Sequence, residues 1–191
     1  MKIGIIGAPS AGKTSTAASL TLLVKNNKEY TCHHVTEFAT DFLQRHNHEI
    51  TMVEQLIFLN EQIQREHLAS LKNNIIITDS PVLLCYLYAR NLNNMSPSHT
   101  LAISYIYDRV LSHLSTYDCI VLKKLKGFKT NGIRRNDPQE AERINQQIIN
   151  FLEDHNIQHI DGTDLNTNQL YKLIFSNVRK ITVDKVPVWI S

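Results

Sequence analysis

Residues 7–14 bring two glycines, a lysine and a threonine together at a spacing that can bind phosphate groups. The pattern G-x-x-x-x-G-K-[ST] is matched by the run Gly7-Ala8-Pro9-Ser10-Ala11-Gly12-Lys13-Thr14, here called the phosphate loop. In this pattern the backbone N–H groups face phosphate oxygens, and the following helix adds positive charge from its N-terminus. Lys13 is expected to reach the β- and γ-phosphates, and the Thr14 hydroxyl to ligate Mg²⁺. The sequence therefore predicts an ATP and Mg²⁺ site with contacts from Gly7, Pro9, Ser10, Ala11, Gly12, Lys13, Thr14 and Ser15.

A carboxylate follows the most apolar of the predicted strands. Ile75, Ile76 and Ile77 form an unbroken run typical of a parallel strand that is buried on both faces, and Asp79 comes after it. Because open α/β sheets bind ligands outside the carboxyl ends of their strands, Asp79 is expected near the phosphate loop. Two roles fit: holding Mg²⁺ together with Thr14, or accepting the proton of an attacking hydroxyl. A turn and helix cap is the alternative for this Asp-Ser-Pro sequence.

Glu37 and Asp41 form an acidic pair directly after the second predicted strand. Their i, i+4 spacing places both on one face of a helix, again at the ligand-binding edge of the sheet. Two like charges this close require a cation or hydroxyl donors nearby. We expect both residues to bind the substrate, with an exposed acidic face as the alternative, mainly for Asp41.

A basic segment carries much of the positive charge of the chain. Six of the 20 Lys and Arg residues fall within residues 123–135, between the fourth predicted strand and the next helix. In P-loop kinases, which this order of elements resembles, a mobile lid at this place brings arginine over the phosphates. Arg134 is expected to stabilise the transferring phosphoryl group, and Arg135 to bind ATP. A solvated loop is one alternative, and a track for nucleic-acid phosphates is another.

The elements that must position these residues alternate between strand and helix. Apolar runs bounded by turn residues predict five strands, at 3–6, 30–35, 74–78, 119–122 and 157–160. Helices are predicted at 13–25, 37–45, 51–71, 83–90, 99–114, 139–153 and 168–178, with Asp137 as the N-cap of the sixth. This alternation predicts an α/β fold with three layers and a mostly parallel, five-stranded sheet.

The longest predicted helix, residues 51–71, has apolar residues near the 3.6-residue period. This period predicts that the helix turns one face to the core. The expected core residues are Val53, Leu56, Ile57, Ile63 and Leu71. The expected polar face contains Glu54, Glu61, Arg65 and Glu66.

Length and composition limit the class of protein. The 191 residues fit one domain at 1–179, with a lid at about 123–137 and a tail at 180–191 that is expected to pack on it. A net charge of +2 does not make nucleic-acid binding the default, and the three cysteines form no disulfide framework or zinc pattern. No apolar run approaches the ~20 residues that span a bilayer, and no secretory signal is recognisable. The protein is therefore expected in the cytoplasm, without a membrane partner.

The order of these motifs resembles the ribosylnicotinamide kinase domain of the bacterial NAD-salvage regulator and its AAA-type P-loop kinase relatives. The resemblance covers about residues 2–175 and rests on the phosphate loop, Glu37-Phe38-Ala39, the 55–66 helix, Ile77-Thr78-Asp79-Ser80 and Asn131-Gly132-Ile133-Arg134. It implies a three-layer P-loop kinase fold with a short lid, which uses ATP and Mg²⁺ to phosphorylate a hydroxyl of a nucleoside-like acceptor. By position it implies catalytic roles for Lys13, Asp79, Glu37 and Arg134. Two departures from the family pattern are present: Asn131 stands where the family often has an acidic residue before Gly-x-Arg, and Asp79-Ser80 lacks the second acid of an Asp-Thr-Asp pattern.

Three functions remain open at this point. A kinase for a small nucleoside or nucleotide would bind its acceptor in a closed pocket and depend only mildly on salt. A kinase for hydroxymethylated pyrimidines in DNA, like viral P-loop kinases of similar size, would use the basic segment and lose activity steeply as ionic strength rises. A P-loop ATPase or switch would transfer phosphate only to water.

Overall fold

Strands and helices alternate along the chain in the computed structural model, which describes residues 1–45, 50–92, 96–126 and 137–181, with side chains as far as residue 176. The strands are β1 (Lys2–Ile6), β2 (Cys32–Val35), β3 (Ile75–Thr78), β4 (Cys119–Leu122) and β5 (Ile160–Asp161). The helices are α1 (Lys13–Asn26), α2 (Phe38–Arg45), α3 (Met52–Ser70), α4 (Leu83–Arg90), α5 (Pro97–Leu114), α6 (Pro138–Asp154) and α7 (Thr167–Ile181).

The five strands form one sheet in the order β2-β3-β1-β4-β5, and every neighbouring pair is parallel. Parallel neighbours need long crossover connections, which the helices provide. β1 lies in the centre, where Ile3 pairs with Ile77 of β3 and with Cys119 of β4. The predicted α/β fold with a parallel five-stranded sheet is confirmed.

Helices cover both faces of the sheet, as a sheet of buried parallel strands requires. Ile3 and Ile5 of β1 pack into a cluster with residues of α1 and α7. Ile6 belongs to the cluster on the other face, with residues of α3, α4, α5 and α6. Successive residues of a strand point to opposite faces, so β1 contributes to both halves of the core. The result is the three-layer arrangement that the sequence predicted.

α3 turns a different face to the core from the one predicted. Val53 and Leu71 are 61% and 66% exposed, and Ile57 is also exposed, so the prediction is wrong for these three residues. It holds for Leu56 and Ile63, which are partly buried against the core. The buried face is partly polar and consists of Gln55, Phe58, Leu59, Gln62 and Glu66. The hydrophobic period was misleading because the buried polar groups have partners elsewhere in the fold that make their burial favourable.

Glu66, expected on the polar face, is 1% exposed and lies in a buried cluster. Its Oε2 is 2.7 Å from the Lys2 ammonium and 2.8 Å from Nε2 of His113, and the Tyr117 hydroxyl donates to it at 2.9 Å. Burial alone would raise the pKa of the Glu66 carboxyl, but His113 and Lys2 hold that pKa below its ordinary value. Lys2 begins β1 and Tyr117 precedes β4, so this cluster lies at the amino ends of the strands.

Two element boundaries test local signals in the sequence. Asp137 caps α6 by accepting from the Gln139 N–H at 3.2 Å, and Pro138 occupies its first turn, as predicted. β5 begins at Ile160 rather than Ile157, so its predicted start is wrong. The Ile157 N–H donates to the Leu152 carbonyl at 2.8 Å at the end of α6, which keeps it out of the ladder with β4.

Part of the predicted lid and most of the tail lie outside the described residues. Residues 127–136, which include Arg134 and Arg135, are among them, as are residues 182–191. Over the ranges that are described, no helix combines the length and the apolar character needed to cross a membrane.

Candidate active site

The phosphate loop connects the carboxyl end of β1 to the first residue of α1. Its path needs two residues in the left-handed region, Ser10 with φ of 67° and Gly12 with φ of 80°. The Ala11 N–H donates to the Ala8 carbonyl at 3.2 Å and closes the turn. Glycine carries no steric cost at such φ values, whereas Ser10 holds an uncommon conformation of the kind that occurs at functional sites.

Gly7 lies where the phosphate loop passes the end of β4. A Cβ on Gly7 would be 2.3 Å from the Lys123 carbonyl oxygen, which is far inside van der Waals contact. The Lys123 N–H donates to the Ile6 carbonyl at 2.8 Å, so this backbone cannot move without breaking the link between β1 and β4. Gly7 is therefore required for close packing of backbone on backbone.

We expect Gly7→Ala to lower the free energy of unfolding by about 2 kcal/mol, because overpacking forces the backbone to shift. Gly12→Ala is the matched control, since a Cβ there meets no atom within 4 Å. This variant should lose only about 1 kcal/mol, because alanine is less stable than glycine at a left-handed φ. Urea unfolding of both variants measures the difference. If Gly7→Ala lowers the free energy of unfolding no more than Gly12→Ala does, the close approach of Gly7 to the Lys123 carbonyl is contradicted.

Lys13 is a buried lysine whose ammonium group contacts the phosphate loop. Its Nζ donates to the Ala8 carbonyl at 2.9 Å. The charge is thus held at the loop that is predicted to receive phosphates, together with the N-terminus of α1.

Asp79 follows β3 and is 2% exposed. Its Oδ2 is 3.5 Å from Nε2 of His34 at the end of β2. Burial alone would raise the pKa of the Asp79 carboxyl, but His34, the Thr14 hydroxyl and the Lys13 ammonium hold the pKa below its ordinary value. Asp79 thus lies within electrostatic range of Lys13 and Thr14 of the phosphate loop, and its carboxylate is favoured in the charged form.

The other oxygen of Asp79 makes the site suitable for a hard cation. Oδ1 is buried and accepts no hydrogen bond from any residue in the described ranges. An acceptor in this state is costly unless a donor or a cation binds it. Mg²⁺ prefers one or two carboxylate or hydroxyl oxygens and keeps several waters, so Thr14 and Asp79 fit its chemistry. No cluster of three or more His, Cys, Asp or Glu side chains suited to another metal occurs in the described parts of the chain.

Glu37 lies between β2 and α2 and is held by two hydroxyl groups. Ser80 Oγ donates to its Oε1 at 3.2 Å, and Thr40 Oγ1 donates to its Oε2. Because Ser80 directly follows Asp79, the two predicted acidic residues lie at the same edge of the sheet. The hydroxyl donors that the acidic pair was expected to require are thus provided by the protein itself.

Asp41 points to a different partner. Its Oδ2 is 2.9 Å from Nη1 of Arg65 in α3, and the Arg65 guanidinium also lies 4.8 Å from the centroid of the Phe38 ring. This partly exposed ion pair neutralises the second charge of the acidic pair. Substrate binding by Asp41 stays a prediction, and it would have to compete with Arg65.

The described lysines of the basic segment are engaged within the fold. The Lys123 ammonium donates to the Gly162 carbonyl at 2.8 Å, Lys124 pairs with Asp161 at 2.7 Å, and Lys126 pairs with Asp164. These contacts fasten the start of the segment to the loop after β5. Arg134 and Arg135 lie outside the described residues, so their lid roles stay predictions.

Two residues of the site were missed by sequence reasoning. No role in the site was predicted for His34, yet parallel pairing of β2 with β3 brings it beside Asp79. No contact was predicted for Ser80, although its hydroxyl binds Glu37. Their positions at the carboxyl ends of strands were a usable signal, but only the strand order makes them neighbours.

Residues 2–166 match the family model described as AAA domain, AAA_28. The match covers most of the chain, which therefore belongs to this family. No curated protein matches the chain.

The fold is similar to that of solved P-loop kinases. NadR in complex with NR aligns over 97% of this chain and 51% of its own, with 13% identity and a TM-score of 0.67. Deoxyadenosine kinase from M. mycoides, with dCMP and dCDP bound, aligns over 95% and 100%, with 16% identity and a TM-score of 0.63. Thymidylate kinase from Candida albicans aligns over 96% and 93%, with 13% identity and a TM-score of 0.58.

The chain spans about half the length of the NadR structure and nearly the full length of the two nucleoside and nucleotide kinases. At identities this low, the structural similarity establishes the fold alone. The resemblance to P-loop kinases that the sequence predicted is confirmed.

Proposed function

We propose that this protein is a kinase that transfers the γ-phosphate of ATP to a hydroxyl of a small nucleoside- or nucleotide-like acceptor. The observation that carries this proposal is the convergence of Lys13, Thr14 and Asp79 at the phosphate loop, with Glu37 linked to the same edge through Ser80. The proposed reaction consumes ATP, and the cytoplasm is the expected compartment.

The phosphate end of the site holds and neutralises ATP. Backbone N–H groups of the phosphate loop and the Lys13 ammonium bind the phosphates. Arg134 and Arg135 of the predicted lid add positive charge that neutralises the phosphate oxygens. Thr14 and Asp79 would hold Mg²⁺, which supplies further neutralisation of the phosphate oxygens.

Glu37 is the proposed proton acceptor of the reaction. The acceptor oxygen forms a bond to the γ-phosphorus, the bond from this phosphorus to the bridging oxygen breaks, and ADP leaves. The hydroxyl proton passes to the Glu37 carboxylate. Asp79 suits this step less well, because His34, Thr14 and Lys13 stabilise its charged form and make it a weaker base.

A small acceptor is favoured over DNA by the charges of the basic segment. Lys123, Lys124 and Lys126 bind carbonyl and carboxylate groups of the loop after β5, so half of the six cations of residues 123–135 already have partners. A track for DNA phosphates needs cations that are available to release counterions. One similar structure has NR bound, and two others are of enzymes named deoxyadenosine kinase and thymidylate kinase, which also supports a small acceptor.

Transfer of labelled γ-phosphate tests the proposal. Parallel reactions contain free nucleosides including nicotinamide riboside, free nucleotides, or plain and hydroxymethyl-pyrimidine DNA, each at low and moderate salt. Label in a small molecule supports the proposal. Label in DNA with steep salt dependence would replace it with a DNA kinase, and label only in free phosphate would replace it with an ATPase or switch.

We expect Asp79→Asn to lower kcat about a hundredfold and to raise the Mg²⁺ concentration needed for half-maximal rate, because an uncharged amide holds the ion poorly. Steady-state kinetics across a magnesium titration measure both effects. Asp108→Asn, on the exposed side of α5, is the control and should match the wild type. A lower kcat with an unchanged magnesium requirement would assign Asp79 to proton transfer instead.

A further inference from the structure

Gln62 of α3 connects the two chain segments that carry the acidic residues of the site. The residue is 3% exposed. Its Oε1 accepts from the Phe38 N–H at 3.0 Å, and its Nε2 donates to Thr78 Oγ1 at 3.1 Å. Phe38 directly follows Glu37, and Thr78 directly precedes Asp79. The buried Gln62 amide thus links the backbone of Phe38, next to Glu37, to the side chain of Thr78, next to Asp79.

We propose that Gln62 is a positioning residue that fixes Glu37 relative to Asp79 for phosphoryl transfer, an inference that rests on the proposed function. The amide does not need to touch either acid to do this. It constrains the start of α2 against the end of β3, and the carboxylates are fixed because their neighbours are fixed.

The orientation of the Gln62 amide is determined by its partners. The Phe38 N–H can only donate, so the oxygen of the amide must face it. The nitrogen then faces Thr78 and also Oε1 of Glu66, at 3.4 Å, and a carboxylate can only accept. A flipped amide would place oxygen against carboxylate and NH₂ against N–H, so only one arrangement satisfies all of the groups.

Glu66 is itself held in place by the cluster at the amino ends of the strands. Lys2, His113 and Tyr117 bind its carboxylate, which leaves Oε1 positioned toward Gln62. The buried cluster therefore acts as a fixed support for the amide. This gives the polar buried face of α3 a role in the site, since the face runs from the Glu66 cluster to the acidic residues.

The Phe38 N–H is a group that needs such a partner. It lies in the first turn of α2, where backbone N–H groups have no carbonyl acceptor within the helix. The Ser80 hydroxyl provides a second link across the same gap by binding Glu37 at 3.2 Å. Without Gln62, the start of α2 would lose the Phe38 hydrogen bond to α3 and would keep the Ser80 contact and the packing of Phe38 on Phe58 and Arg65.

Because Gln62 uses its polar atoms on protein groups, it should affect the rate more than substrate binding. We expect Gln62→Leu to lower kcat by about 10- to 100-fold, as small displacements of catalytic groups do, with the KM for ATP within about threefold of the wild type. Gln64→Leu, on the exposed side of the same helix, is the matched control and should leave both constants unchanged. Gln62→Glu keeps the side-chain shape but sets a second carboxylate against Glu66, and should lose rate similarly.

A double-mutant cycle separates positioning from general structural damage. If Gln62 acts through Glu37, then adding Gln62→Leu to Glu37→Gln should cost less than about threefold in kcat, because the group to be positioned is already gone. A merely structural role predicts that the two losses multiply. Multiplied losses would overturn the inference.

Amide hydrogen exchange at Phe38 provides a test that does not depend on activity. The Phe38 amide should be protected in the wild type and exchange at least about tenfold faster in Gln62→Leu, while the core amide of Ile76 and the Gln64→Leu variant remain unchanged. If exchange at Phe38 is unchanged in Gln62→Leu, the positioning role of Gln62 is overturned and the proposed function is not affected. A wild-type protein that transfers no phosphate to any acceptor would overturn the proposed function, and with it the role of this positioning in transfer.

Discussion

Replacing Lys13 with alanine is expected to lower kcat by about a thousandfold, because the ammonium group stabilises charge that develops on the transferring phosphoryl group. The fold should persist. The Lys13 ammonium group donates a hydrogen bond to the Ala8 carbonyl, a contact worth about 1 kcal/mol to folding. Phosphoryl transfer from labelled ATP measures the loss, and circular dichroism with urea unfolding checks the fold.

Lys25→Ala is the matched control for this prediction, since Lys25 is an exposed lysine in the last turn of the same helix. It should retain the kcat of the wild type. If the Lys13 variant kept more than about a tenth of its activity, the assignment of residues 7–14 to the γ-phosphate would be wrong.

Glu66→Gln is expected to cost about 3 kcal/mol of the free energy of unfolding. This is the lower end of the range for breaking a buried ion pair, because the Lys2 side chain keeps some contact with solvent. The amide keeps the shape of the carboxylate but removes the negative charge that contacts the partly buried ammonium group of Lys2. Urea unfolding at neutral pH measures the loss, and Glu61→Gln on the same helix should stay within about 0.5 kcal/mol of the wild type.

The stabilisation from Glu66 should depend on pH in one direction. Its folded pKa lies below the unfolded value of about 4.3, so the contribution is complete above that value and is lost as pH falls through the folded pKa. The gap between the wild type and Glu66→Gln should therefore be widest near neutral pH and close in acid. A gap that stays constant down to pH values below about 3 would mean that packing, rather than charge, carries the effect.

The elements of the fold were predictable because their signals are local. The run Ile75-Ile76-Ile77 marks β3, Asp137 with Pro138 marks the start of α6, and the phosphate loop marks the turn between β1 and α1. The strand order was not predictable, because no short stretch of sequence records which strand lies beside which. Contacts that depend on that order, such as His34 with Asp79, were therefore missed.

The buried face of α3 was mispredicted for a related reason. Val53 and Ile57 have the spacing of a core face, and a charged residue such as Glu66 is rarely buried unless it is paired. The partners that make its burial favourable come from the start of β1, from α5 and from the turn before β4. Periodicity counts apolar residues, and it carries no information about partners so far away along the chain.

The sequence predicted most residues of the site, but it did not predict which contacts they make with one another. Lys13, Thr14 and Asp79 come together as the motif and the strand end indicated. Glu37 and Asp41 were treated as a pair, but Glu37 binds Ser80 whereas Asp41 binds Arg65. Helical spacing places two side chains on one face, and tertiary contacts then decide which of them remains at the site.

The central place of β1 has a consequence for how the chain acquires its structure during synthesis. Ile3 pairs with Ile77 on one side and with Cys119 on the other, so β1 leaves the ribosome long before either neighbour exists. Until β4 has emerged, apolar strand segments stay unpaired and are open to chaperones or to strands of other nascent copies. Pairing at such long range also makes folding slow compared with that of helical proteins.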